Sequence, residues 1–331
     1  MRVVLRVPIL QPQLAALAAR HGAELVVADD ADALRREVAD ADALWIWPAF
    51  YDAALVPLLE RHAARLRWVQ LATMGYDAVE TYGAPRGVTI TNAGDAYAPT
   101  VAEHALALLL ALLRRIPDAV RASEARRWDT AIPPRIQTLN DATVAVLGFG
   151  SIGREIAARL RACGARVVAI TRRGNPQPLA DATFAVERLR EALSGCDALI
   201  VAAPLTARTR GMIDADALAA LPPHALLVNI ARGGLVDHAA LRAALDAGRL
   251  GGAALDVTEP EPLPPDDPLW NRPDVIVTPH VAGYGGSVPT RRLIALLERN
   301  LVAYRAGQPL EAVVPIAPGS PGITPGGANA T

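Results

Sequence analysis

Three side chains able to hold an anion or move a proton each follow a predicted strand in the second half of this 331-residue chain: Arg232, Glu261 and His280. Arg232 sits in VNIARGG, a strand that runs into a glycine-rich turn. Glu261 follows ALDV through the proline-rich stretch EPEP, and His280 closes VIVTPH, where strand and proline hold the ring in place. In open α/β sheets, ligands gather at the carboxyl ends of the strands. Taken singly, each residue has a plainer reading: a surface ion-pair arginine, a loop carboxylate, a structural histidine. Their shared placement downstream of a nucleotide-type turn favours chemistry.

That turn is Gly148, Phe149, Gly150, Ser151, Ile152 and Gly153. It follows the β-forming Thr143–Leu147 and precedes a helical pattern with Ile156, Ala157 and Leu160 on one face. Gly148 permits the sharp turn, Gly150 the approach of backbone to a pyrophosphate, and Gly153 close packing of helix on strand. Free N–H groups at the helix start would receive the phosphates. An NAD site places an acidic residue at the end of the second strand, about 20 residues on. Here that strand ends in Thr171, Arg172 and Arg173, with no carboxylate. A hydroxyl and a guanidinium fork suit a 2′-phosphate, so the expected cofactor is NADP or NAD, with NADP favoured. Arginines that merely solvate a strand end are the alternative.

A chain this long implies two domains. Its formal net charge of -1 gives no electrostatic case for nucleic acid or an anionic membrane. Cys163 and Cys196 have neither metal spacing nor a disulfide framework. The N-terminal MRVVLRVPIL reads as a strand interrupted by Arg6 rather than a secretory signal, and the apolar run at 106–113 is too short for a membrane span. The expected location is therefore cytoplasmic. Short strands alternate with helices on both sides of a long helical stretch at 101–126, so both lobes should be α/β, doubly wound and parallel. A helix at 291–304 could return to the first lobe, and 317–331 should be disordered.

The stretches VAEHALALLLALLRR (101–115), VAVLGFGSIGREIA (144–157), APLTARTRGMID (203–214), LLVNIARGGLVD (226–237), AALDVTEPEPLP (253–264) and VIVTPHVAG (275–283) closely resemble the D-isomer-specific 2-hydroxyacid dehydrogenases. The likeness spans roughly residues 3–315. It implies a Rossmann dinucleotide-binding domain inserted in a flavodoxin-like substrate domain: substrate-binding 1–100, nucleotide-binding 101–285, a return at 286–315 and a disordered tail at 316–331. It also implies an NAD(P)-dependent enzyme that interconverts a 2-oxo acid and its D-2-hydroxy acid, in the manner of glyoxylate and hydroxypyruvate reductases. On that resemblance Arg232 binds substrate, Glu261 is the acidic partner, and His280 is the acid/base. The backbone amides of Met74, Gly75 and Tyr76 hold the substrate carboxylate, with Asn92 beside them. Pro204, Thr209, Ile230, Ala231, Asp256, His280 and Gly283 join the glycine turn and Thr171, Arg172 and Arg173 as cofactor contacts.

No metal is implied, since Arg232 would oppose one beside His280. A homodimer is, through the leucine-rich helix beginning near Val101, which a monomer would have to expose. Larger 2-oxo acids as substrates, and less so a non-catalytic nucleotide sensor, are the alternatives. Two segments depart from the family pattern: Thr171 and Arg172 replace the usual aspartate, and residues 284–289 differ from the common continuation.

Overall fold

The computed structural model describes residues 1–316. The chain divides into two compact units, Met1–Tyr97 together with residues 286–316, and Ala98–Gly285. The first begins with β1 (Arg2–Arg6), α1 (Gln11–Arg20), β2 (Glu24–Val27), α2 (Ala31–Glu37) and β3 (Ala43–Ile46). It continues with α3 (Leu55–His62), β4 (Trp68–Leu71), α4 (Asp77–Tyr82) and β5 (Thr89–Thr91). These strands form a wholly parallel sheet in the order β2-β1-β3-β4-β5. The central strands β3 and β4 are buried on both faces, which is why they read as unbroken apolar runs rather than alternating ones.

The second unit opens with α5 (Ala98–Leu113) and α6 (Ile116–Glu124), then β6 (Thr143–Leu147), α7 (Ser151–Ala162), β7 (Arg166–Thr171) and β8 (Ala182–Ala185). There follow α8 (Leu189–Leu193), β9 (Ala198–Val201), α9 (Ala215–Ala220), β10 (Leu226–Asn229), α10 (His238–Asp246), β11 (Gly252–Leu255) and β12 (Val275–Val277). The sheet order is β12-β11-β10-β9-β6-β7-β8, again all parallel. With β6 counted as the first strand, this is the 3-2-1-4-5-6 order of dinucleotide-binding sheets with one strand added. Because every strand runs the same way, every carboxyl end lies on one edge.

The stretch at 101–126 is not one helix. α5 ends at Leu113, Arg115 takes a left-handed conformation at φ 53°, and α6 restarts with Pro117 in its first turn. Pro117 has no N–H to donate, and its ring would collide with the carbonyl one turn back. Asp118 fixes the corner by accepting from Arg115 Nε at 2.8 Å and Arg121 at 2.6 Å. The leucines of α5 are not an exposed stripe either. Leu108, Leu109, Leu112 and Leu113 are buried within this one chain, where α5 packs on α7, β10 and β11. Their apolarity therefore carries no argument for a partner.

After Gly285 the chain forms α11 (Ser287–Arg305), whose Leu293, Leu297 and Leu301 join Val3, Leu5, Trp45 and Trp68 in one core of the first unit. The helix expected at 291–304 thus starts four residues earlier, at Ser287. Beyond it, Asn300 Oδ1 accepts from Glu311 N at 2.7 Å, and Val313 bridges Thr91. The tail expected to be disordered, 317–331, lies outside the described residues.

Candidate active site

Each glycine of the turn after β6 has its own reason to be glycine. Gly148 has φ +91°, and a Cβ there would sit 2.6 Å from the Ala203 backbone. A Cβ on Gly153 would lie 2.1 Å from Gly148 O, so strand and helix could not close. Gly150 differs: nothing lies within 4 Å of its missing Cβ. No protein atom requires a glycine at that position, and the open space sits at the N-terminus of α7, where no side chain caps the first-turn N–H groups. A phosphate fits both features. At the end of β7, Thr171 Oγ1 accepts from Gly174 N at 3.0 Å. Arg172 and Arg173 are exposed there, and neither forms an ion pair among the described residues.

The same sheet edge carries the chemical residues. Asn229, fully buried at the end of β10, accepts from Ala231 N at 3.1 Å and donates to Arg232 O at 2.9 Å. This staple fixes the turn that presents Arg232, whose side chain also donates to Ala231 O at 2.7 Å. Gly233 lets the turn press against the next loop, since a Cβ there would lie 2.0 Å from Thr258 C. That loop leads to Glu261. His280 follows β12 with φ 54°, a conformation unusual for a residue bearing a Cβ. Its N–H donates to Asp256 O at 2.8 Å, and its Nδ1 lies 2.6 Å from Glu261 Oε1. A carboxylate can only accept here, so Nδ1 carries the proton that binds Glu261 and Nε2 is the atom left to face a substrate. Both side chains remain partly open to solvent, at 46% and 42%.

Among the other expected contacts, Pro204 follows β9 and accepts from Thr209 Oγ1 at 2.8 Å, so the two belong to one loop. Ile230 and Ala231 lie just past β10 and are nearly enclosed, while Gly283 lies in the turn after His280. Asp256 has a different task from the cofactor contact expected of it. Its side chain is fully enclosed, and its oxygens accept from Thr278 Oγ1 (2.6 Å), Val281 N (2.9 Å) and Ala282 N (3.0 Å). His104 of α5 reaches the same cluster, with Nε2 at 3.1 Å from Thr278 Oγ1 and 3.3 Å from Asp256 Oδ1. These groups clamp the turn that carries His280. Sequence reading missed His104 and Thr278, although a histidine inside the apolar run VAEHALALLL was the available signal.

Burial pushes the Asp256 carboxyl up, but the hydrogen bonds from His104, Thr278 and the two amides outweigh it and hold the group at about 2. A carboxyl held below its ordinary value of 3.8 stabilises the fold above that pH and loses its contribution as pH falls towards 2. The effect is worth roughly 2 kcal/mol. Asp256→Asn should therefore lower the unfolding free energy most at neutral pH. Denaturant titrations should show the gap to wild type narrowing between pH 4 and pH 3, and a gap independent of pH would contradict the assignment.

Met74, Gly75 and Tyr76 belong to the first unit, in the loop between β4 and α4. Asn92 Nδ2 donates to Met74 O at 2.7 Å, and the buried Gln70 donates to Asn92 O at 2.8 Å. The loop is thereby fixed through its carbonyl side. The N–H groups of residues 74, 75 and 76 donate to no acceptor among the described residues. Three successive unpaired amides make a concavity suited to an anion.

A seven-stranded dinucleotide sheet with a histidine–carboxylate pair and an arginine on its ligand edge defines an NAD(P)-dependent oxidoreductase. The comparisons with known proteins are specific. Residues 106–282 match the D-isomer specific 2-hydroxyacid dehydrogenase NAD-binding domain, and residues 3–188 match the catalytic domain of the same family. The chain belongs to that family. It is 36% identical over 272 residues to a glyoxylate reductase of Pyrococcus furiosus, covering 78% of this chain and 80% of that one. A D-isomer specific 2-hydroxyacid dehydrogenase of Xanthobacter autotrophicus Py2, solved with NADPH and MES, superposes with TM-score 0.81 at 30% identity, covering 95% of this chain and 97% of that one. An NADPH-dependent glyoxylate/hydroxypyruvate reductase of Sinorhizobium meliloti, solved with NADP and sulfate, gives TM-score 0.79 at 28% identity, covering 95% and 98%. No helix among the described residues is long and apolar enough to cross a membrane.

Proposed function

We propose that this protein reduces a small 2-oxo acid, glyoxylate or hydroxypyruvate ahead of large aliphatic oxo acids, to the D-2-hydroxy acid, using NADPH in preference to NADH. The observation that carries the reading is the 2.6 Å contact between His280 Nδ1 and Glu261 on the ligand edge that also holds Arg232. Arg232 is the substrate-binding arginine of the second unit, and the unpaired amides of Met74, Gly75 and Tyr76 are the carboxylate cradle of the first. His280, doubly protonated, donates its Nε2 proton to the carbonyl oxygen as that oxygen gains negative charge. Glu261 keeps the ring oriented and balances its charge, so the proton leaves from the atom that faces the substrate. The nicotinamide, when bound, supplies the hydride that reaches the carbonyl carbon. A panel of oxo acids assayed with NADPH and NADH tests the proposal. Turnover confined to bulky branched acids would defeat the small-substrate preference, and no turnover with any oxo acid would defeat the reading.

Cofactor choice rests on the strand end at 171–173, where an exposed guanidinium pair stands in place of a carboxylate. Arg172→Ala should weaken NADPH by a charge-assisted hydrogen bond, about 1.5–3 kcal/mol, and leave NADH almost unchanged. Fluorescence titration of both cofactors reads this directly; equal losses for the two would remove Arg172 from 2′-phosphate recognition.

The protein also assembles as a homodimer on this reading, through the segment after α5 rather than the leucines of α5 itself. Ile116, Val120 and Trp128 are exposed by 49%, 50% and 94%, an apolar group unusual for free surface. Light scattering should give twice the chain mass, and Trp128→Glu should shift it towards monomer.

A further inference from the structure

Arg6 interrupts the apolar run of β1, and nothing in the reaction above uses it. It is the last residue of β1, and its register partner Ile46 is the last residue of β3. In the order β2-β1-β3, the connections leave β1 to one side and then continue on the other. The carboxyl ends of β1 and β3 therefore flank the point where winding reverses, which is where doubly wound sheets take their ligands. Arg6 is partly exposed at that point, with its guanidinium 4.7 Å over the Phe50 ring. Stacking orients the planar fork but offers its N–H groups no acceptor.

The Nε of Arg6 is enclosed and makes no hydrogen bond. Two other enclosed arginine nitrogens also make no hydrogen bond, Nε of Arg2, which lies 3.9 Å from Glu24 Oε1, and Nε of Arg292. Those guanidinium groups are ion-paired through another nitrogen, to Glu37 and Asp95 respectively. Among the described residues, no ion pair or hydrogen bond engages the Arg6 side chain. A half-enclosed cation without a counterion is unfavourable, so one kept at a ligand edge is matched to an anion that arrives from outside. The unpaired amides of Met74, Gly75 and Tyr76 follow β4 on the same edge. Arg6, Ile46 and Leu71 lie in register across β1, β3 and β4, so those strand ends are roughly 10 Å apart. One small molecule can touch both.

We infer that Arg6 recognises a second anionic group, a carboxylate or a phosphate, at the far end of a 2-oxo acid whose first carboxylate rests on those amides. The inference builds on the oxo-acid reductase reading and adds a rule of selection to it. Among substrates longer than glyoxylate, dianionic ones are accepted. A neutral alkyl chain of equal length encloses Arg6 with nothing to satisfy it, and a site with an unmet polar group discriminates strongly.

The test measures kcat/KM for glyoxylate, 2-oxohexanoate, 2-oxoglutarate and 3-phosphohydroxypyruvate with wild type, Arg6→Met and Arg6→Lys. Calorimetric titration of each NADPH-bound protein with 2-hydroxyglutarate and 2-hydroxyhexanoate, which cannot be reduced, runs beside it. Arg6→Met should lower kcat/KM for the dianion by about 10- to 100-fold, mostly through KM. Glyoxylate, too short to reach residue 6, should stay within about twofold, and 2-oxohexanoate should improve by about 10-fold, because methionine no longer leaves an enclosed cation unmet. The dicarboxylate and phosphate arms show which anion the site takes. Arg6→Lys keeps the charge, should retain part of the preference, and serves alone if the methionine variant does not fold. A wild type that favours neither dianion over 2-oxohexanoate overturns the inference, as does a methionine variant that loses all four substrates alike. If wild type reduces no oxo acid, the reductase reading fails and the titrations decide this inference alone. Arg6-dependent affinity for 2-hydroxyglutarate sustains it; equal affinity in all three proteins overturns it.

Discussion

His280→Ala is expected to lower kcat by about 10²–10⁴-fold, the range for losing a positioned proton donor, while NADPH affinity changes little. The expectation follows from how the ring is held. Glu261 occupies Nδ1 at 2.6 Å, and the main chain at 280 is tied to Asp256 O at 2.8 Å. The turn therefore does not depend on the imidazole for its shape, and truncating the ring removes the donor rather than the loop. The left-handed conformation of residue 280 supplies a control. Asparagine tolerates that region better than alanine, so His280→Asn should melt like wild type and be as slow as the alanine variant. Stopped-flow single turnovers with saturating NADPH separate the chemical step from release. A variant that folds, binds NADPH and keeps wild-type kcat would take His280 out of the mechanism.

The parts of this fold that the sequence disclosed are those built from contiguous residues. β9 and β10 are buried on both faces, so their apolar runs are unbroken, and Asn229 at the end of β10 marks the ligand edge. The glycine turn is legible for the same reason: all three glycines act within six residues, and two of them answer to backbone clashes that only glycine avoids. What stayed hidden depends on residues far apart in the chain. His104 meets Thr278 across 174 positions of sequence, and the same ring nitrogen approaches Asp256. Gln70 reaches the Met74 loop only through Asn92. Local reading also overran at Pro117: the apolar pattern continues through 113–120, while the missing proline N–H breaks the helix. β8, ATFA, is too short and too little buried to announce itself.

Arg232→Ala should lower kcat/KM by roughly 10²–10³-fold, the loss of one or two charge-assisted hydrogen bonds of about 1.5–3 kcal/mol each. Asn229 grips Arg232 O at 2.9 Å, and Gly233 abuts Thr258, so the turn is set by main-chain contacts that survive truncation of the side chain. Cofactor binding should persist, and thermal stability should fall little. Arg232→Lys makes the sharper comparison. Lysine restores the charge but not the planar fork that engages both carboxylate oxygens, so it should recover only part of the loss, mainly in KM. The two kinetic constants need to be read apart. If the arginine only gathers substrate, KM rises while kcat holds; if it also aligns the carbonyl with the proton donor, kcat falls as well, and the latter is expected. An alanine variant with unchanged kcat/KM for every oxo acid would show that the carboxylate is held elsewhere, and the proposed substrate geometry would fall with it.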